Sequence, residues 1–298
     1  MSQQRLITAT AADSTATTVT DAVRVRLGSG PTPPGGRIGP ATRWLAAVIV
    51  LFLADAAQLL LLLPDRTGEL FAWPIDVEVS SLVLGSAYVA GGYYFVRVLL
   101  ADGWQRVAAG LPPVIVFVWL AAAATALHLD RFTHDGLPFA AWAAIYSIAP
   151  VGLPLLYLSQ HRAMRPPVVD TPVPARLRIL MSSVGGAVVL GALLAFAAPQ
   201  LTIDLWPWTL TPLTARVVAT VIALFGSLWV SVTLHGGKTA ARVPLQAHAV
   251  GLAFLLLAAA RGSGDIDWSN PLASILVAGV AGMLLVDICV ALPSRPRR

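Results

Sequence analysis

Phe71-Ala-Trp-Pro-Ile-Asp-Val-Glu-Val-Ser-Ser81 and Asp204-Leu-Trp-Pro-Trp-Thr-Leu-Thr-Pro-Leu-Thr214 are two versions of one device. In each, a Trp-Pro pair closes a short polar loop and opens a long apolar run, and each loop follows a hydrophobic segment ending in a proline, Pro64 or Pro199. Proline fixes φ and has no amide proton, so Pro74 and Pro207 turn the chain before the next helix starts. In the second copy Thr211 and Thr214 flank Pro212, the pattern of an N-cap followed by proline in the first helical turn. Trp73, Pro74, Trp206 and Pro207 are therefore expected to be structural loop residues. The two pairs lie 133 residues apart, which suggests that the same unit is used once per half of the chain.

What lies between the loops decides the class. Of 298 residues 57% are hydrophobic and only 12% charged, with a mean hydropathy of +0.75. Soluble domains carry about 25% charged residues, so this chain is written for a bilayer. Apolar runs bounded by Pro, Gly or charge give eight spans, at about 44–63, 80–101, 109–128, 138–159, 177–198, 213–235, 245–261 and 271–292, each near the roughly 20 residues that cross about 30 Å of hydrocarbon. The expected fold is thus an all-α integral membrane protein with two similar four-helix halves, 44–160 and 177–292. An even number of spans per half makes the repeat parallel, about an axis along the membrane normal. Residues 1–43, rich in Thr, Ala, Ser, Gly and Pro, read as a disordered tail. A linker at 161–176 and a basic end at 293–298 complete the division.

Sixteen of the twenty basic residues fall on the side that carries both chain ends, and four, Arg66, Arg131, Arg216 and Arg261, fall on the other. Basic residues near span ends stay cytoplasmic, so both termini are expected inside the cell and the Trp-Pro loops outside. Nine carboxylates make that outer face acidic. A pI near 10 invites a nucleic-acid reading. Topology and anionic headgroups already account for the basic residues, however, and no basic and aromatic binding motif accompanies them. Trp73, Trp206, Trp208 and Trp268 fall at the outer water interface, where indole rings anchor. The single cysteine, Cys289, allows no internal disulfide and no cysteine metal cluster.

Asp55 is the sharpest candidate residue. It lies near the middle of the first span, where a carboxylate costs at least about 2.5 kcal/mol, and Gln58 shares its helix face. Two readings stand together: a proton or cation site, or a structural contact with another helix. Asp287, near the end of the eighth span, is within reach of interfacial water and reads as structural. His128, Asp130, His134 and Asp135 cluster at the outer end of the third span. Their spacing fits no zinc motif and Arg131 would repel a cation, so no metal is expected and an outer polar network is favoured. Arg216, at the outer start of the sixth span, is placed to pair with a carboxylate or meet an anionic substrate. His161, His235 and His248 lie towards cytoplasmic ends and read as interfacial. Small residues at helical spacing, Gly92 in the second span, Ser182, Gly186 and Gly191 in the fifth, and Ala278 with Gly282 in the eighth, read as packing seams.

No phosphate-cradling glycine loop, His-Glu-x-x-His pair or Gly-x-Ser-x-Gly turn is present, and no cofactor is indicated. The Trp206-to-Arg216 stretch, with Phe-Ala-Trp-Pro-Ile75 and Leu-His-Leu-Asp-Arg-Phe132 in the first half, looks like a group of uncharacterised multi-pass bacterial membrane proteins with a repeated Trp-Pro loop. That resemblance implies an architecture and a prokaryotic plasma membrane, and carries over no catalytic residue. The expected role is binding or transport of a small molecule or lipid in a cavity between the halves, with Asp55, Gln58, His128, Asp130 and Arg216 as candidate residues. Two alternatives remain. One is a non-catalytic membrane subunit that docks a partner protein. The other is a membrane enzyme using Asp65, Glu69, Asp76 or Glu78 on a lipid-linked substrate.

Overall fold

The computed structural model describes residues 36–162 and 170–291. Most of the expected tail, part of the linker and the basic C-terminus lie outside these residues. Within them eight helices are long and apolar enough to cross a membrane, and the protein is an all-α multi-pass membrane protein. In chain order the spans are Pro40–Leu62, Glu78–Leu100, Leu111–Leu127, Leu137–Arg162, Ala175–Ala197, Pro212–His235, Lys238–Arg261 and Pro271–Ala291. Short helices at Thr67–Leu70 and Pro199–Leu205 lead into the two Trp-Pro loops. The largest boundary difference is in the seventh span. It starts at Lys238 and runs through Pro244, where the expected span began at about residue 245. The first span begins at Pro40, and Ile38 ahead of it is buried. Residues 36–43 therefore belong to the packed structure and not to the tail: the Trp104 amide donates to the Gly36 carbonyl and Arg43 holds the Ala101 carbonyl at 2.9 Å.

Four spans form the centre. The second packs along the seventh, the third along the sixth, and the second and sixth meet between them, while the first, fourth, fifth and eighth lie outside on the second, third, sixth and seventh. Without water to exclude between helices, close backbone approach decides such contacts. Gly251 of the seventh span marks the junction. A Cβ there would come within 2.7 Å of Phe225 and 2.8 Å of Ala90, so only glycine lets the second, sixth and seventh spans converge. Gly185 and Gly226 do the same where the fifth and sixth cross, each facing the other's carbonyl. The seams expected at Gly92, Gly186, Gly191 and Gly282 are not used, since a Cβ at any of them meets nothing within 4 Å.

A buried threonine precedes each Trp-Pro loop, and the two are bonded differently. Thr67, buried, donates its hydroxyl to the Pro64 carbonyl at 3.1 Å and accepts the Ile75 amide at 3.0 Å. Thr202 donates to the carbonyls of Ala195 and Ala198. The loop after the third span reaches the first Trp-Pro loop through Thr133 N–H and Ala72 C=O. The loop after the seventh reaches the second through Asp267 N–H and Pro207 C=O. As expected, Thr211 caps the sixth span by accepting the Thr214 amide at 3.2 Å.

Trp73 departs from its expected anchoring role. It is 2% exposed and sits among Phe71, Phe132 and Trp142 with ring centroids 4.7 to 5.2 Å away. The loop folds inward because this cluster covers the end of the first half. Trp208 is half-buried and donates to Ser80 at 2.9 Å. Of the four, Trp268 is the exposed one, at 48%.

Candidate functional site

A cavity of about 320 Å³ lies at membrane depth, walled by Phe52, Tyr88, Tyr94, Phe117, Tyr146 and His248 among residues of six spans. That volume falls in the roughly 300–1,000 Å³ range of small-molecule pockets. Its walls come mainly from the first four spans, with Leu224, Phe225 and Leu228 of the sixth and Ala247 and His248 of the seventh closing one side. On the first and fourth spans the lining includes Val48 and Ile148, which are 55% and 68% exposed. The cavity therefore opens sideways between these two helices, towards the hydrocarbon.

Two hydroxyls supply its polarity. Tyr88 and Tyr146 are buried and their oxygens lie 3.4 Å apart. Each phenol carries one proton, and one mutual bond uses only one of the two. The other is free for an acceptor atom entering the cavity. Tyr94, by contrast, donates inward to the Val107 carbonyl at 2.8 Å and is occupied.

Behind the cavity wall lies a cluster in which Asp287 and His248, expected near interfacial water, are buried. Asp287 and His248 are 0% and 1% exposed, and His248 Nδ1 lies 2.5 Å from Asp287 Oδ2. Trp229 donates its indole N–H to Asp287 Oδ1 at 2.8 Å, and His248 Nε2 meets the Phe225 carbonyl at 3.1 Å. Hydrogen-bond inventory fixes the proton count. The Phe225 carbonyl can only accept, so Nε2 carries a proton. One more proton must then lie between Nδ1 and Oδ2, whichever atom holds it. The pair is electrically neutral either way, which is what a site without water requires. Removing that proton would leave an uncompensated carboxylate in hydrocarbon surroundings. Both imidazole nitrogens are engaged, so His248 offers the cavity its ring and not a hydrogen bond.

A signal for this cluster was present. Trp229, His248 and Asp287 each lie within ten residues of the span end on the side opposite the Trp-Pro loops. They are polar-capable groups at similar depth in three consecutive spans. Reading each residue by its own distance from water hid their meeting.

The expected site residues do not converge. Asp55 and Gln58 lie on the exposed face of the first span, and Gln58 donates back to its own helix at the Ala54 carbonyl, 3.1 Å away. His128 and Arg216 do meet, with Nη1 2.5 Å from His128 Nε2, and the guanidinium also lies over the Phe196 ring at 5.8 Å. Desolvation and the Arg216 charge push the His128 imidazole below its ordinary range, so the neutral ring accepts from arginine. Asp130 is exposed and pairs with Arg131 at 3.1 Å. Of the four carboxylates of the enzymatic alternative, Glu69 pairs with Arg66 and Glu78 with Arg261. Among the described residues, no group of three or more His, Cys, Asp and Glu side chains is disposed to hold a metal ion.

Comparison with protein-family models, with curated proteins and with solved structures finds no match to this chain.

Proposed function

We propose that this protein binds a largely apolar, lipid-derived molecule in the cavity between its central spans, the molecule entering sideways from the bilayer and carrying one hydrogen-bond acceptor that meets the Tyr88–Tyr146 pair. The cavity itself carries this reading: about 320 Å³ of apolar space at membrane depth, with its mouth between exposed Val48 and Ile148. A water-soluble solute would lose its hydration on entering such walls and find two hydroxyls in exchange. The Asp287–His248–Trp229 cluster serves this site by fixing the sixth, seventh and eighth spans behind it. Transport of the bound molecule is the further step of this proposal.

The pairing of spans also supports the two-half reading. Exchanging each span for its counterpart four positions on turns the second-with-seventh contact into sixth-with-third, and the first-with-second contact into fifth-with-sixth. With sixteen of twenty basic residues on the side of the chain ends, the proposed setting is a bacterial plasma membrane with both ends cytoplasmic.

The test is mass spectrometry of molecules retained by protein purified in mild detergent, for the wild type and for Val114→Trp, which fills the cavity. A compound enriched over bulk lipid in the wild type and lost in the variant supports the proposal. Equal retention by both proteins defeats it.

A further inference from the structure

Arg97 stands three residues before the end of the second span, on the side of the chain ends. An arginine near a span end ordinarily stretches towards water, but this one is tied down within the span. Its guanidinium turns back over Tyr93, one helical turn deeper, with Cζ 5.8 Å from the ring centre. Nη1 donates to the Tyr93 hydroxyl at 2.8 Å and to Gln246 Oε1 of the seventh span at 2.5 Å, and Tyr93 donates its own proton to the same Oε1 at 3.2 Å.

The charge is left without an anion. A guanidinium stays protonated in proteins, and among the described residues Arg97 pairs with no carboxylate; Asp102, just beyond the span, goes to Arg106 at 3.7 Å. The donor count points the same way. Both Nη1 protons are used, whereas Nε and Nη2 have no acceptor among the described residues. Arginine and the Tyr93 proton can meet Gln246 only at its oxygen, so its amide nitrogen is turned away with both protons unused. Arg242, one turn before Gln246 and exposed, adds a second cation with no ion pair among the described residues. Tyr93, Arg97 and Gln246 are half-buried, and Leu100, one turn on from Arg97, is 72% exposed, so the cluster is open to the bilayer. N–H donors on an unpaired positive charge are the complement of a phosphate.

We propose that this cluster between the second and seventh spans binds the phosphate of an anionic phospholipid in the leaflet on the side of the chain ends. Its place inside the span, beside exposed Leu100, favours a headgroup with acyl chains over free phosphate, and basic pockets between spans take such headgroups. None of Tyr93, Arg97 and Gln246 lines the cavity, so the inference stands apart from what the cavity holds.

The full chain, purified in neutral detergent, is titrated with phosphatidylglycerol, phosphatidylcholine or inorganic phosphate, and bound molecules are counted by native mass spectrometry. The wild type should bind one phosphatidylglycerol in preference to phosphatidylcholine. Arg97→Gln should weaken that binding about tenfold or more, as loss of charge-assisted hydrogen bonds does. Gln246→Glu supplies an internal anion and keeps both hydrogen bonds at Oε1, so it should hold the wild-type thermal midpoint and weaken the lipid as much; it decides the question even where Arg97→Gln does not fold. Arg178→Gln, which removes an exposed charge near the same membrane face on the fifth span, should leave the affinity unchanged. Equal affinity for the two lipids, unchanged binding in Gln246→Glu or in folded Arg97→Gln, or equal weakening by Arg178→Gln overturns the proposal. Inorganic phosphate that displaces the lipid at equal concentration also overturns it, by assigning the site to the free anion.

Discussion

Replacing Asp287 separates the two readings of that residue. If it reached water, its loss would cost little. In the structure Asp287→Ala leaves the Trp229 N–H without an acceptor and His248 without a partner at Nδ1, all at 0 to 2% exposure. Breaking a buried pair from one side costs about 3–5 kcal/mol, which corresponds to roughly 6–20 °C at about 2–4 °C per kcal/mol. Asp287→Asn behaves differently. Its carbonyl oxygen accepts from Trp229, its amide donates to the bare Nδ1 of neutral His248, and Nε2 still donates to Phe225, so every partner is kept. The expected loss is under about 1 kcal/mol, since the hydrogen bonds are exchanged and not removed. The assay is the thermal midpoint of the monodisperse peak in mild detergent, read for wild type, Asn and Ala variants side by side. An Ala variant as stable as the wild type would refute the buried cluster. An Asn variant as damaged as Ala would refute the proton count.

Two further outcomes follow from the loops. Trp73→Ala should lower stability by about 3–5 kcal/mol, as truncation of a buried large aromatic does, while Trp268→Ala, at 48% exposure, should change the same thermal midpoint little; equal effects would contradict the inward-folded loop. The lowered imidazole of His128, which faces Arg216 with Asp130 and Arg131 beside it, sets a pH dependence. The unfolded ring takes up its proton near 6.5 while the folded ring resists, so stability is lost as pH falls from about 6.5 towards the lowered folded value and is complete above it. Thermal midpoints of wild type and His128→Gln should run parallel above pH 6.5 and diverge below it, and curves parallel throughout would remove the argument.

The spans were legible in the sequence because length and hydropathy need no tertiary information. Pro244 misled because a proline reads as a stop, whereas the seventh span continues through it. Helix faces were harder. Asp55 was expected to point inward, as intramembrane carboxylates do by default, and it points outward because Ala56, Ala57 and Leu60 take the inner face. Glycines show the same limit. Gly92 and Gly186 stand one residue beyond Gly91 and Gly185, which do pack, and the repeat of small residues cannot say which member faces a neighbour. The cavity was expected between the halves and lies mostly within the first, closed by the sixth and seventh spans. The Asp287–His248–Trp229 cluster needs three spans brought together, and residue spacing along one helix carries no trace of it.

The crossing of spans between halves bears on how the chain is made. The second span, whose Tyr93 and Arg97 bond Gln246 of the seventh, enters the membrane early, yet the seventh span is synthesised roughly 160 residues later. At about 5–20 residues per second that is a wait of roughly 8–32 s, during which Tyr93 and Arg97 lack that partner. A fragment ending at the linker would stay in that unsheltered state, so the first half is a nascent intermediate awaiting its other half and not an autonomous folding unit.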